Sequence, residues 1–201
     1  MTTVASPPQP PQQPPTAGPP PAAPAVEESR PRPAETGVWI AIATISMTFA
    51  ALTSAMVVRG SAAPDWRHFR LPPLLYVNTV VLLASSAVLE AGRRRRAAGL
   101  VRITFGLGFL FVAGQVVAWR QLAAQGLFLA TSPSSAFFYV FTALHGLHLL
   151  GGLGGLAYVL RRFGTAGRGP APVAALGAAA LYWHFMDVLW LYLLVLLAFR
   201  V

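Results

Sequence analysis

The sequence predicts an all-α, polytopic membrane protein, a bundle of five transmembrane helices behind a disordered, Pro-rich N-terminal tail. Three observations carry this. Over 201 residues the chain is 55% hydrophobic and only 10% charged, whereas soluble domains carry about 25% charged residues, so it cannot cover itself with polar surface. Five apolar runs, at about 38–58, 74–91, 101–119, 136–160 and 173–199, are each long enough to cross the hydrocarbon of a bilayer. The basic residues are all arginine and fall mainly between those runs, the pattern of orientation signals flanking membrane helices. The net charge of +9 would also suit nucleic acid, but that placement argues for topology, and no nucleic-acid partner is expected. With no cysteine, disulfides, iron–sulfur ligation and cysteine-based zinc sites are excluded.

Residues 1–36 are low-complexity, with Pro-Pro-Gln-Pro-Pro-Gln-Gln-Pro-Pro and Gly-Pro-Pro-Pro-Ala-Ala-Pro runs that cannot bury apolar surface. They read as a disordered or polyproline II spacer. A secretory signal would place its apolar core near Met1, so the tail is expected to stay on the chain. The first span, 38–58, opens beside Trp39 as an interfacial anchor and stops at Arg59. Its small and hydroxyl residues, from Thr44 to Ala55, are expected to permit close packing and interhelical hydrogen bonds. A loop follows over 60–71, with Pro64 and Pro72-Pro73 as breakers and His68 exposed.

The second span, 74–91, carries a polar stripe of Asn78, Thr79, Ser85 and Ser86. Glu90 closes it beside Arg93-Arg-Arg-Arg96, a pairing expected at the interface with the arginines snorkelling. The third, 101–119, has Gly106, Gly108 and Gly114 flattening one side. Gln115 there is a buried polar candidate, expected to make an interhelical hydrogen bond. Thr131-Ser-Pro-Ser-Ser135 is a helix-start signal. The fourth span, 136–160, holds Gly151 and Gly155, whose spacing invites close approach of a neighbour. Arg161 and Arg162 stop it, a turn over 163–172 follows, and the fifth span is 173–199.

Five crossings put the two ends of the chain on opposite sides. On the tail side fall Arg30, Arg32, Arg93 to Arg96, Arg102, Arg161, Arg162 and Arg168; on the other, Arg59, Arg67, Arg70, Arg120 and Arg200. That excess places the N-terminus in the cytoplasm and the C-terminus outside.

Ionisable groups inside membrane helices are costly and normally face protein with a specific partner. His145 and His148 lie in the fourth span; Tyr182-Trp-His-Phe-Met-Asp-Val-Leu-Trp190 puts His184, Asp187, Trp183 and Trp190 in the fifth. At about 1.5 Å per residue, His148 and His184 lie at similar depths if these two helices are antiparallel neighbours. His145, His148, His184 and Asp187 are then expected to converge. Three chemistries suit such a cluster. His148 and His184 suit a b-type haem held between helices, making the chain an electron carrier. Three imidazoles and a carboxylate suit a metal ion or a proton relay. In the structural reading they hydrogen-bond to one another, to carbonyls and to hydroxyls, locking the helices together. No nucleotide-binding loop or activated nucleophile is visible, nor are repeated halves with paired broken helices, as in many transporters.

Two of these motifs, FFYVFTALHGLHLLGG and YWHFMDVLWLYL, resemble the signatures of haem–copper oxidase (cytochrome c oxidase) subunit III, with support from NTVVLLASSAVLEA and Gln115. The resemblance runs from about residue 37 to 199 and is to a short, five-helix form of the family. It implies a non-catalytic subunit of a bacterial terminal oxidase, supporting the stability and proton uptake of catalytic subunit I, with subunit II also in the complex. It implies no catalytic, cofactor-binding or metal residue in this chain. Haem and copper belong to the partner, phospholipid is a possible companion, and the location is the plasma (inner) membrane. The cluster His145, His148, His184 and Asp187 then reads as structural, with Gln115, Gly151, Gly155, Trp183 and Trp190 as packing residues. Many family members carry carboxylates where this chain has Ile45 and Ala118, so no role of those groups transfers. Related five-helix subunits also accompany quinol oxidases and nitric oxide reductases.

Overall fold

The computed structural model describes residues 33–62, 64–166 and 170–201; what was expected of the tail over 1–32 lies outside the described residues. Five α-helices follow in order: α1 (Pro33–Ala62), α2 (Leu74–Arg95), α3 (Ala98–Ala124), α4 (Pro133–Ala166) and α5 (Pro170–Arg200). All are long and apolar enough to cross a membrane, and no strand occurs among the described residues. The protein is therefore an all-helical, multi-pass membrane protein.

Each helix outruns the apolar stretch that announced it. α4, at 34 residues, is about 51 Å long, against about 30 Å of hydrocarbon. Hydropathy marks the hydrocarbon, whereas backbone hydrogen bonding carries the helix on into the headgroup layer. So α1 begins at Pro33, inside the segment read as tail. Proline suits the first turn, where its missing N–H costs nothing, and Glu35 there complements the helix dipole.

The connections are built from specific caps. α2 ends in a Schellman turn: Arg96 N–H reaches Arg93 O at 3.4 Å and Ala97 N–H reaches Gly92 O at 3.0 Å, with Arg96 at φ 49°. α3 ends the same way around Gly126, whose φ of 79° is what glycine supplies most cheaply. Before α4, Ser132 and Ser135 cap each other: Ser135 N–H donates to Ser132 Oγ at 3.2 Å and Ser132 N–H donates to Ser135 Oγ at 3.1 Å. This is a capping box in which a serine replaces the usual glutamate. The loop over 64–73 is pinned by Trp66 Nε1, which donates to Arg200 O at 2.8 Å, and by Phe69 N–H, which donates to Val201 O at 2.6 Å.

α2 and α3 form the most extensive pair, and α5 packs on α1, α2 and α4. α1 is peripheral; it touches only α4 and α5 among the described helices, through Ile45, Phe49 and Met56. Its hydroxyls do only in part what their density suggested. Thr44 and Thr48 bond back to carbonyls four residues earlier, and Thr53 alone takes a bond from another helix, accepting from Tyr192 Oη at 2.8 Å. In lipid a hydroxyl without a neighbour is satisfied most cheaply by its own backbone.

Close approach is carried by glycines other than the expected pair. A Cβ on Gly108 would meet Trp183 Cη2 at 2.7 Å and Leu153 Cδ2 at 2.8 Å, and one on Gly152 would meet Tyr182 Cε1 at 3.2 Å. A Cβ on Gly114 would fall on the Asn78 amide. Gly155 has nothing within 4 Å, and Gly151 only the Tyr182 hydroxyl at 3.8 Å. The four-residue spacing of Gly151 and Gly155 defines a face, but that face opens on a groove of about 470 Å³ between α1, α4 and α5.

Candidate functional site: the seam between α2 and α5

The polar stripe of α2 meets the tryptophans of α5. Trp183 Nε1 donates to Ser85 Oγ at 3.0 Å, and two turns later Trp190 Nε1 donates to Thr79 Oγ1 at 2.9 Å. Trp183 and Trp190 are seven residues apart, so they share one face of α5. The acceptors run the opposite way along α2, as antiparallel neighbours require. Each hydroxyl also donates to its own helix: Ser85 to Leu82 O at 2.6 Å and Thr79 to Leu75 O at 2.8 Å. Asn78 completes the stripe toward α3, donating from Nδ2 to Phe111 O at 3.1 Å. Every member of the stripe on α2 thus has a partner, the condition for a polar group at membrane depth.

His184 belongs to this seam. Its Nδ1 lies 2.5 Å from Ser86 Oγ, and its Nε2 lies 3.7 Å from Glu90 Oε2. Glu90 in turn holds the C-terminal end of α2: its carboxylate accepts from Arg93 Nε at 2.7 Å, Arg93 Nη2 at 2.8 Å and Arg94 Nε at 2.7 Å. The pairing of Glu90 with the arginine block was legible in the sequence; its link to His184 was not.

The other expected cluster members lie apart from that link. His148 Nδ1 bonds to Leu144 O at 2.7 Å, and its ring packs 5.9 Å from Phe49 of α1. His145 is fully buried between Trp190, at 5.1 Å, and Phe111, at 6.0 Å; neither ring nitrogen has a hydrogen-bond partner among the described residues. Asp187 sits between Trp183 and Trp190 on the same face, 4% exposed, with the Ser86 hydroxyl as its electrostatic neighbour but no completed hydrogen bond. The structure therefore brings the four residues into adjoining layers without bonding them to one another. The depth argument does hold: Tyr182 Oη donates to His148 O at 3.0 Å, which sets α4 and α5 side by side at that level. His148 and His184, however, turn toward different helices, α1 and α2. Among the described residues no three His, Asp or Glu side chains gather closely enough to hold a metal ion.

Gln115 is 4% exposed, but neither its Oε1 nor its Nε2 finds a hydrogen-bond partner among the described residues. The expected hydrogen bond of Gln115 is therefore not made; α3 is tied to α4 by Trp119, whose Nε1 donates to Thr142 Oγ1 at 3.0 Å.

Residues 41–200 match the family model described as "Cytochrome c oxidase subunit III". Among curated proteins, the chain is 32% identical over 186 residues to "Probable cytochrome c oxidase subunit 3" of Mycobacterium tuberculosis, covering 85% of this chain and 90% of that one. It is 34% identical over 172 residues to "Cytochrome c oxidase subunit 3" of Synechocystis, covering 80% and 72%. It is also 28% identical over 165 residues to "Cytochrome bo(3) ubiquinol oxidase subunit 3" of Pseudomonas aeruginosa, covering 77% and 79%.

Proposed function

The chain belongs to the cytochrome c oxidase subunit III family, and from that premise we propose that it is the non-catalytic third subunit of a bacterial haem–copper terminal oxidase. The observation that carries this is the family match over residues 41–200, which takes in part or all of each of the five helices. Its partners are the oxidase's subunits I and II. Subunit I holds the haem and copper and reduces oxygen; this chain supports its stability and proton uptake. The arginine excess supports an inner-membrane topology with the N-terminus in the cytoplasm. The groove beside Gly151 and Gly155 suits a phospholipid acyl chain.

A self-contained haem carrier using His148 and His184 gains no support, because the two imidazoles face different helices and each already has a bonded nitrogen. A quinol-oxidase partner is the second reading, favoured by the similarity to the Pseudomonas subunit.

The test is purification of the tagged chain in mild detergent, with mass spectrometry and a reduced-minus-oxidised haem spectrum. A haem-bearing membrane subunit should co-purify, and the haem should leave with it in harsher detergent. Haem retained by the isolated chain would overturn the reading. The identity of the co-purified subunits separates cytochrome c from quinol as donor.

A further inference from the structure

The seam between α2 and α5 holds a graded row of groups that can exchange protons. Glu90 and His184 stand at its open end, with side chains 24% and 40% exposed. Ser86 comes next, its Oγ 2.5 Å from His184 Nδ1. Asp187 closes the row, 4% exposed between Trp183 and Trp190, with neither carboxyl oxygen hydrogen-bonded among the described residues. His184 and Asp187 are three residues apart and share one face of α5. A single hydroxyl on the facing helix can therefore neighbour both, and Ser86 is that hydroxyl. From this geometry we propose that Glu90, His184 and Ser86 carry protons between the C-terminal end of α2 and Asp187, making Asp187 a buried proton-binding site. The proposal goes beyond the subunit III reading and does not rest on it, since every group belongs to this chain.

A carboxylate at membrane depth without a bonded partner is costly, and a bound proton removes the charge and supplies a donor. That proton must come from water, and the row leads there. Exposed Arg93 and Arg94 hold Glu90 at the membrane interface. Glu90 Oε2 lies 3.7 Å from His184 Nε2, so the outer nitrogen of the ring faces the interfacial carboxylate and the inner one faces the serine. The transfer balances with no change of oxidation state. His184 Nε2 takes a proton from the interface. Its Nδ1–H bond then breaks as a new O–H bond forms on Ser86, and Ser86 passes its own hydroxyl proton to an Asp187 oxygen. The ring is left neutral with its proton on Nε2, and a turn of the ring resets it. The other helices supply no competing path among the described residues. α1 has no ionisable side chain between Glu35 and Arg59, nor has α3 between Arg102 and Arg120. On α2, Tyr76 is exposed. On α4, His148 turns to Phe49 of α1, and His145 packs on Trp190 and Phe111 with neither nitrogen bonded.

The experiment uses the full chain purified in mild detergent with its companions. Infrared spectra over a pH series are recorded for wild type and Asp187→Asn, and their difference in the protonated-carboxyl stretch is the Asp187 signal. Transfer into heavy water then gives the rate at which that signal shifts. Ser86→Ala is expected to slow the shift about a hundredfold, the low end of what a positioned proton-transfer group contributes. Ser86→Thr keeps the hydroxyl and should restore most of the rate. His184→Gln interrupts the row one step further out, should slow the shift likewise, and serves alone if Ser86→Ala does not assemble. A merely structural role would move the rate the other way, because a loosened seam admits water and speeds exchange. Identical carboxyl spectra for wild type and Asp187→Asn at every pH, or exchange in Ser86→Ala or His184→Gln as fast as in wild type, would overturn the proposal.

Discussion

Two glycines on α3 should respond to the same substitution with opposite signs. At Gly114 an added methyl lands on the Asn78 side chain, with Asn78 Cγ and Nδ2 at 2.7 Å. Asn78 is buried and bonded to Phe111 O at 3.1 Å, so it can yield only by giving up that bond. Overpacking costs about 1–3 kcal/mol, and the lost interhelical bond adds about 0.6–1.7 kcal/mol. Alanine's better helix propensity returns up to about 1 kcal/mol. The net for Gly114→Ala is a destabilisation of about 1–4 kcal/mol. At Gly106, nothing lies within 4 Å of the new methyl, so only the propensity gain remains and Gly106→Ala should be neutral or slightly stabilising. The assay is equilibrium unfolding of the purified chain in mixed micelles, followed by tryptophan fluorescence. The double variant Gly114→Ala/Asn78→Ala sharpens it. The methyl then occupies space the amide has vacated, so the double variant should be little worse than Asn78→Ala alone, a coupling of about 1–2 kcal/mol between the sites. Additive losses, or a Gly114→Ala protein as stable as wild type, would refute the packing described for α2 against α3.

Other outcomes follow from the seam. Trp190→Phe leaves Thr79 without its donor and a smaller ring in a fully buried site, and should cost at least the about 0.6–1.7 kcal/mol of the lost bond in the same unfolding assay, the void adding to it. Ser86→Ala removes the hydroxyl beside His184 Nδ1, whereas Asp187→Asn removes no completed hydrogen bond; complex yield should therefore fall further for Ser86→Ala than for Asp187→Asn. Glu90→Gln breaks ion pairs whose arginines are half or more exposed, so its unfolding free energy should change by less than about 1 kcal/mol. Deleting residues 1–32 should leave the oxidase activity of the purified complex intact, read as oxygen consumption per haem.

The helices were legible because the bilayer imposes its thickness on the sequence, and five apolar runs give five spans whatever their partners. Their ends were less so: Pro33 and the arginines after Glu90 are polar in sequence yet helical, because the headgroup layer accepts charge while the backbone bonds continue. The polar stripe on α2 was visible, but the helix it faces was not. Periodicity assigns residues to a face and says nothing of the neighbour. This is why Gly151 and Gly155 looked like a packing pair while Gly152, one position along, carries the contact. It is also why His184 looked like the partner of Asp187. Sharing a face does not make a bond when a serine and a carboxylate wait on the helix across. The signal that was available is the match between two tryptophans seven apart and two hydroxyls six apart, one donor for each acceptor.

α1 meets only α4 and α5, and α5 is also the helix that caps the α2 stripe. Of the five described helices α1 is made first, yet its contacts are with α4 and α5, the two made last among them. Until then α2 and α3 can fold as a local pair through their tight turn, while α1 drifts in lipid on an unpinned loop. A nascent chain halted before α5 would expose free indole acceptors on α2 and a loose first helix together.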